Sequence, residues 1–310
     1  MPASGTDHTV HVFIYASESD REFLEVAVGD AGGVLSSPEA AEVLVWASND
    51  VEELTPFLHE GVRWVQLYAA GVDAWIRGGV IDSHRLWTAG KGVYGAVIAE
   101  YCLALLLAGA ARLPEAARAL AWNPLTADSV SGKTVGVIGA GGIGSELIRL
   151  LEPFGARTLA ITRSGRTVAG ATESLGPEGL DRLLRESDYV ALCAASTPQS
   201  RGLLSRERIA RMKPNAFVVN IARGALIDTD ALVEAIDDGR IRGAALDVTD
   251  PEPLPDDHPL WRLPTVIVTS HMSGSAPAWR DAFATRLREN VARYIADDPL
   301  VGVVDLDLGY

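Results

Sequence analysis

Cysteine is nearly absent from this chain: Cys102 and Cys193 are the only two in 310 residues, each set in an apolar run. A disulfide framework is thereby excluded, no metal site is expected, and two buried thiols in a reducing compartment are predicted. Basic charge is also scarce. Lys and Arg number 27 against 41 Asp and Glu, a formal net charge of −14. Nucleic acid needs a basic face and anionic lipid a basic patch, so neither is an expected partner. Long hydrophobic runs are missing too. The most apolar stretch, Tyr101 to Ala111, falls well short of the roughly 20 residues that span a bilayer. The polar start, Met1 to Thr9, carries nothing resembling a signal peptide. These absences predict a cytoplasmic protein.

What is present is a chain long enough for two domains, with 48% hydrophobic residues to build their cores. Val10 to Tyr15, Val43 to Ala47, Trp64 to Tyr68 and Arg85 to Thr88 have the apolar character of buried parallel strands. Val51 to His59 and Ala74 to Gly78 read as helical segments between them. Val93 to Leu113 is apolar nearly all round, which predicts a buried helix suited to crossing between domains; Pro114 and Trp122-Asn123-Pro124 then break the pattern.

From Gly132 the alternation becomes regular. Strands are expected at Thr134 to Ile138, Thr158 to Thr162, Tyr189 to Cys193, Phe217 to Ile221, Ala244 to Val248 and Val266 to Thr269. Helical periodicity lies between them, as in Ile143, Leu147, Leu150, Leu151 and Phe154, or behind a capping Asp228. This predicts an α/β protein with a doubly wound parallel sheet and a second, smaller α/β domain. The boundaries are placed at 1–90 with 278–310 for the smaller domain, to which a last helix from Ala278 to Tyr294 returns, and at 91–277 for the larger.

Gly139-Ala140-Gly141-Gly142-Ile143-Gly144 fits G-x-G-x-x-G, following a predicted strand at once and opening a predicted helix. Gly139 suits a tight turn, Gly141 close approach of backbone to a pyrophosphate, and Gly144 helix packing on strand. Gly142 and Ile143 contribute N–H groups at the positive end of the helix dipole. The reading is a dinucleotide site. About 20 residues on, a carboxylate would hold the ribose hydroxyls of NAD. Here the strand ends in Arg163-Ser164-Gly165-Arg166 instead. Arg163 and Arg166 can clamp a 2′-phosphate and Ser164 can donate to it, so NADPH is expected to be preferred, with NAD possible.

Beyond the C-terminal ends of three predicted strands stand Arg223, Glu252 and His271. In open α/β sheets that edge faces the ligand crevice. A loop salt bridge, a solvated turn and a satisfied histidine explain each singly, but their convergence favours a site. Reducing a 2-oxo acid needs a proton donor, and His271 is of the type that titrates near neutral pH. Glu252 suits its partner, and Arg223 can grip a carboxylate in a fork while polarising a carbonyl.

These segments carry a resemblance. Asn220-Ile221-Ala222-Arg223-Gly224, Asp247 to Pro253 and Thr269 to Gly274 resemble the arginine, acid and histidine stretches of the D-isomer-specific 2-hydroxyacid dehydrogenases. Ala69 to Asp73 resembles the family's carboxylate-binding turn, and Val97 to Glu100 the start of its interdomain helix. The resemblance implies a flavodoxin-like substrate domain, and a glyoxylate or hydroxypyruvate reductase-like enzyme interconverting 2-oxo and D-2-hydroxy acids. It implies substrate contacts at Ala70, Gly71, Val72, Arg223 and His271. Ala222, Gly274 and Asp247 then join the cofactor contacts, Asp247 toward the nicotinamide carboxamide, and a homodimer through the cofactor domain is expected. The chain departs from the family where Thr249 replaces an aromatic and at Cys193 to Pro198. The other reading is a cofactor-sensing protein of the same fold without turnover.

Overall fold

Short apolar runs bounded by turn residues become the strands of two parallel sheets, one in each of two compact units. The computed structural model describes residues 9–275, 277 and 279–307. One unit comprises Met1–Tyr94 with Pro277–Tyr310 and the other Gly95–Ala276.

In the first unit the chain runs through β1 (His11–Tyr15), α1 (Glu18–Asp30), β2 (Val34–Leu35), β3 (Val43–Trp46), α2 (Val51–Leu54), β4 (Trp64–Leu67), α3 (Asp73–Arg77) and β5 (Leu86–Thr88). The sheet order is β2-β1-β3-β4-β5, all parallel, the flavodoxin-like arrangement expected. Strands β3 and β4 are buried along their whole length, as helix-covered strands must be. Helix α1 carries no sequence expectation: only Leu24, Ala27 and Val28 of it are buried, too narrow a stripe for the pattern to show.

The second unit begins with α4 (Gly95–Ala110) and α5 (Leu113–Arg118). The predicted helix from Val93 to Leu113 is thus shorter. Arg112 turns left-handed at φ 55°, and Pro114 sits in the first turn of α5 instead of ending a helix. Then follow β6 (Thr134–Ile138), α6 (Gly142–Leu151), β7 (Arg157–Ile161), β8 (Glu173–Leu175), α7 (Leu180–Glu186), β9 (Tyr189–Leu192), α8 (Arg206–Ile209), β10 (Phe217–Asn220), α9 (Thr229–Asp237), β11 (Gly243–Leu246) and β12 (Val266–Val268). The order β12-β11-β10-β9-β6-β7-β8 is parallel throughout and reverses direction about β6. Asp228 caps α9 by accepting from the Ala231 N–H. Helix α4 lies tightly on the sheet because Gly109 has no side chain: a Cβ there would stand 2.4 Å from the Phe217 ring. Each fully buried Leu in this core, such as Leu106 or Leu147, contributes about 1.5–3 kcal/mol over an exposed one.

The chain returns to the first unit in α10 (Trp279–Ile295), which packs on α1; the expected first residue, Ala278, lies outside the described residues. Asn290 of α10 is fully buried and donates to Gln66 Oε1 at 2.9 Å. The same oxygen accepts from Thr88 Oγ1, which accepts in turn from Trp64 Nε1, both at 2.8 Å. A polar chain thus threads this core with its donors and acceptors matched. Among the described residues no helix is long and apolar enough to cross a membrane, and no cluster of His, Cys, Asp and Glu is arranged to hold a metal ion.

Candidate active site

Within the second unit, the segments that follow five of the seven strands (β6, β7, β10, β11 and β12) at the C-terminal edge of the sheet carry the residues predicted for the cofactor and the chemistry. The loop after β6 has the geometry a dinucleotide needs. Gly139 adopts φ +93°, and a Cβ on it would lie 2.5 Å from the backbone of Ala194. A Cβ on Gly144 would meet the Gly139 carbonyl at 2.6 Å. Around Gly141, by contrast, a Cβ would find nothing within 4 Å. Two glycines are therefore needed for packing, and the third leaves bare backbone facing open space. Gly142, also exposed, and Ile143 begin α6, whose first-turn N–H groups have no acceptor within the helix. The structure fits a pyrophosphate here.

Arg163, Ser164 and Arg166 follow β7 and are all exposed. Arg166 reaches back to the loop, its Nη2 donating to the Ala140 carbonyl at 2.9 Å. Thr162, immediately before them, was not singled out from sequence. Its Oγ1 is buried without a hydrogen-bond partner in the structure, a polar atom beside the position expected for the ribose.

Three adjacent strands, β10, β11 and β12, deliver the chemical residues. His271 Nδ1 lies 2.7 Å from Glu252 Oε1, with both side chains nearly half exposed. Glu252 Oε2 accepts from the Thr249 N–H at 3.3 Å, which holds the carboxylate in place. Because Nδ1 is engaged, Nε2 is the ring nitrogen left to face a substrate. His271 also adopts φ +50°, a left-handed conformation that costs a non-glycine residue about 1 kcal/mol.

Arg223 sits just past β10, its Nη1 donating to the Ala222 carbonyl at 2.7 Å. Its backbone is fixed by Asn220, which is fully buried: Nδ2 donates to the Arg223 carbonyl at 2.9 Å and Oδ1 accepts from the Ala222 N–H at 3.1 Å. Sequence reasoning missed this clamp, although an amide closing the apolar run Phe217-Val218-Val219 was a usable signal. It also missed Gly224, whose hypothetical Cβ would fall 1.9 Å from the Thr249 carbonyl carbon. The arginine loop therefore lies backbone to backbone against the loop leading to Glu252.

Asp247 is 1% exposed, and its carboxylate is occupied by the histidine turn. Oδ1 accepts from Thr269 Oγ1 at 2.6 Å and the Met272 N–H at 2.9 Å, and Oδ2 from the Ser273 N–H at 3.0 Å. Burial pushes its carboxyl group up, but hydrogen bonds from the Ser273 and Thr269 hydroxyls and the two amides outweigh this and hold it below its ordinary range. Gly274 nearby has room for a side chain, the nearest atom to a Cβ being Ile98 Cδ1 at 4.0 Å. Cys102 and Cys193 are free, and a hydrogen bond between them, with burial, raises the Cys102 thiol well above its usual value.

In the first unit, Ala70, Gly71 and Val72 form the turn between β4 and α3. Tyr68, just before it, meets Trp279 edge-on at 4.7 Å and Tyr94 at 5.6 Å, and the Tyr94 hydroxyl donates to the Tyr68 carbonyl at 2.5 Å. Trp46 belongs to the core of this unit, stacked on Tyr15 at 4.0 Å.

Residues 102–273 match the family model for the NAD binding domain of D-isomer specific 2-hydroxyacid dehydrogenases. A glyoxylate reductase of Korarchaeum cryptofilum is 31% identical over 286 residues, covering 83% of this chain and 84% of that protein. A D-3-phosphoglycerate dehydrogenase of Methanocaldococcus jannaschii is 36% identical over 217 residues, 67% of this chain, and the match spans 41% of that longer protein. Among solved structures, a D-isomer specific 2-hydroxyacid dehydrogenase of Xanthobacter autotrophicus Py2, in complex with NADPH and MES, superposes with a TM-score of 0.83. It is 27% identical, with 98% of this chain and 100% of that one covered.

Proposed function

Because the chain belongs to the D-isomer-specific 2-hydroxyacid dehydrogenase family, we propose that it interconverts a small 2-oxo acid and the corresponding D-2-hydroxy acid, with NADPH preferred over NADH. The observation that carries this reading is the 2.7 Å pair of His271 and Glu252, on the same sheet edge as Arg223 and the glycine loop.

The bound nicotinamide supplies the hydride for reduction. Gly139, Gly141, Gly142, Ile143 and Gly144 would cradle its pyrophosphate, with Ala222 and Gly274 near the reactive end. His271 gives a proton from Nε2 to the carbonyl oxygen as the carbon is reduced, so the ketone becomes an alcohol without an unprotonated alkoxide. Glu252 stays on Nδ1 throughout and fixes the ring, so that Nε2 keeps its aim. In oxidation His271 takes the same proton back. Arg223 pairs with the substrate carboxylate and polarises the carbonyl. The backbone of Ala70, Gly71 and Val72, in the first unit, is proposed as a substrate contact. Arg163, Ser164 and Arg166 are assigned to the 2′-phosphate. NADPH in the Xanthobacter relative supports this choice, and the glyoxylate reductase among the relatives supports glyoxylate-sized substrates. We also propose a cytoplasmic homodimer joined through the cofactor domain; sedimentation as a monomer would refute the dimer.

The deciding experiment follows loss of NADPH and NADH absorbance over a panel of 2-oxo acids. Turnover favouring NADPH is expected, and His271→Ala should lower kcat by about a hundredfold or more with cofactor affinity retained. Tight NADPH binding with no turnover on any 2-oxo acid overturns the enzymatic reading.

A further inference from the structure

Sulfur is scarce in this protein, and one sulfur-bearing side chain lies in the open beside His271. The chain has three methionines and two cysteines. Cys102 is fully buried, Cys193 is half-buried, and Met212 is 6% exposed within the core of the second unit. Met1 lies outside the described residues. Met272, which follows His271 directly, is 44% exposed, more than any other sulfur-bearing side chain among the described residues. Its backbone, by contrast, is held at both ends. The Met272 N–H donates to Asp247 Oδ1 at 2.9 Å, and its carbonyl accepts from the Ser275 N–H at 3.0 Å and from Ser275 Oγ at 2.6 Å. His271 belongs to the same turn, its N–H donating to the Asp247 carbonyl at 2.8 Å.

A thioether accepts hydrogen bonds weakly, so the unmodified Met272 side chain leaves these donors to the turn. Its sulfoxide is polar and chiral, with an oxygen that accepts strongly. Placed on residue 272, that oxygen competes for the hydroxyl and amide hydrogens that hold the histidine in position. We propose that Met272 is a site of reversible oxidation, at which a peroxide forms the sulfoxide and thereby loosens the turn that aims His271. The proposal rests on the reading of His271 as the acid–base group. In the step, the sulfur lone pair attacks one peroxide oxygen, and an S–O bond forms as the O–O bond breaks. The departing hydroxide takes the proton from the transferred oxygen and leaves as water. Sulfur is oxidised by two electrons and the peroxide is reduced by two. A methionine sulfoxide reductase, drawing two electrons from a dithiol, returns the thioether and releases water.

The test treats wild type, Met272→Leu and Cys193→Ser with hydrogen peroxide, removes it with catalase, and compares each protein with its own untreated sample. Three quantities are read: oxygen gained at each methionine by peptide mass, kcat with a 2-oxo acid, and amide hydrogen exchange of the segment 269–275. Expected in wild type are oxidation of Met272 well ahead of Met212, a kcat lowered about tenfold, and faster exchange at Met272 and Ser273. Methionine sulfoxide reductases of both stereospecificities should restore kcat. Met272→Leu conserves volume and the backbone N–H, and it should lose less than about twofold under the same treatment. Met272→Gln, which places an amide oxygen on a side chain of similar length, should show a lowered kcat without peroxide, and it serves as the probe should Met272→Leu fail to fold. An equal loss in Met272→Leu overturns the proposal, as does a loss abolished by Cys193→Ser, or complete oxidation of Met272 with kcat unchanged. Wild-type protein inert on every 2-oxo acid refutes the enzymatic reading instead, and mass and exchange still decide whether oxidation at Met272 loosens the turn.

Discussion

Replacing Gly224 by Ala probes how closely the arginine loop is set against the loop leading to Glu252. The added methyl would stand 1.9 Å from the Thr249 carbonyl carbon and 2.0 Å from its oxygen. Ordinary van der Waals contact begins near 3.4 Å, so one loop must withdraw by about 1.5 Å. The obstacle is backbone, which cannot swing aside as a side-chain tip does. Arg223 directly precedes the new methyl, and Glu252 lies a few residues beyond Thr249, so the shift reaches both groups. Misplacement of a reacting group by ~1 Å costs about a hundredfold in rate. We therefore expect kcat/KM for a 2-oxo acid to fall about a hundredfold, equivalent to ~2.7 kcal/mol. Overpacking should also lower stability by about 1–3 kcal/mol, visible as a lower Tm. NADPH affinity, measured in parallel, should hold, since the glycine loop lies after a different strand. A folded variant with kcat/KM within about threefold of wild type and an unchanged Tm would refute the reasoning.

Three further outcomes follow from the same geometry. Asn220→Ala releases the backbone of Arg223 and should raise KM for the 2-oxo acid about tenfold, with a smaller effect on kcat; an unchanged KM would show that the clamp does not position the arginine. Arg163→Ala and Arg166→Ala should each weaken NADPH binding by about tenfold or more while leaving NADH binding nearly constant; equal losses for the two cofactors would dismiss the 2′-phosphate clamp. The folded-state carboxyl of Asp247 lies below its ordinary value of 3.8. Its contribution is therefore fully present above that value and fades as pH falls through the folded-state value. Melting curves of wild type and Asp247→Asn should differ at neutral pH and converge in acid; a gap that persists unchanged into strong acid contradicts the assignment.

The features legible in the sequence were those fixed by local chemistry. A strand covered on both faces has to be apolar, so Val43 to Trp46 and Tyr189 to Leu192 announced themselves. The glycine loop was legible because the demands at Gly139 and Gly144 can be met by no other residue. Edge strands β2 and β8 were not, being short and without a single buried residue. The site divided along the same line. Residue type and strand-end position singled out Arg223, Glu252 and His271. Their supports depend on contacts across 22 to 26 residues, as between Asp247 and the 269–273 turn, or on a backbone approach visible only as a forbidden Cβ at Gly224. Asp247 illustrates the limit: an acid at a strand end was noticed, but spacing cannot say which donors it faces.

The polar thread through the first unit has a consequence for how the chain is made. Gln66 and Asn290 are 224 positions apart, and the whole of the second unit is synthesised between them. When residue 94 leaves the ribosome, the amide oxygen of Gln66 still lacks one of its donors, and α1 lacks the helix it packs on. The second unit, being contiguous, can complete itself first. The nascent protein is therefore expected to pass through a stage with one finished body and one waiting half-built, exposing the α1 face. A chain ending at residue 276 and released from the ribosome should display this state, protease-resistant in the second unit and cleavable in the first.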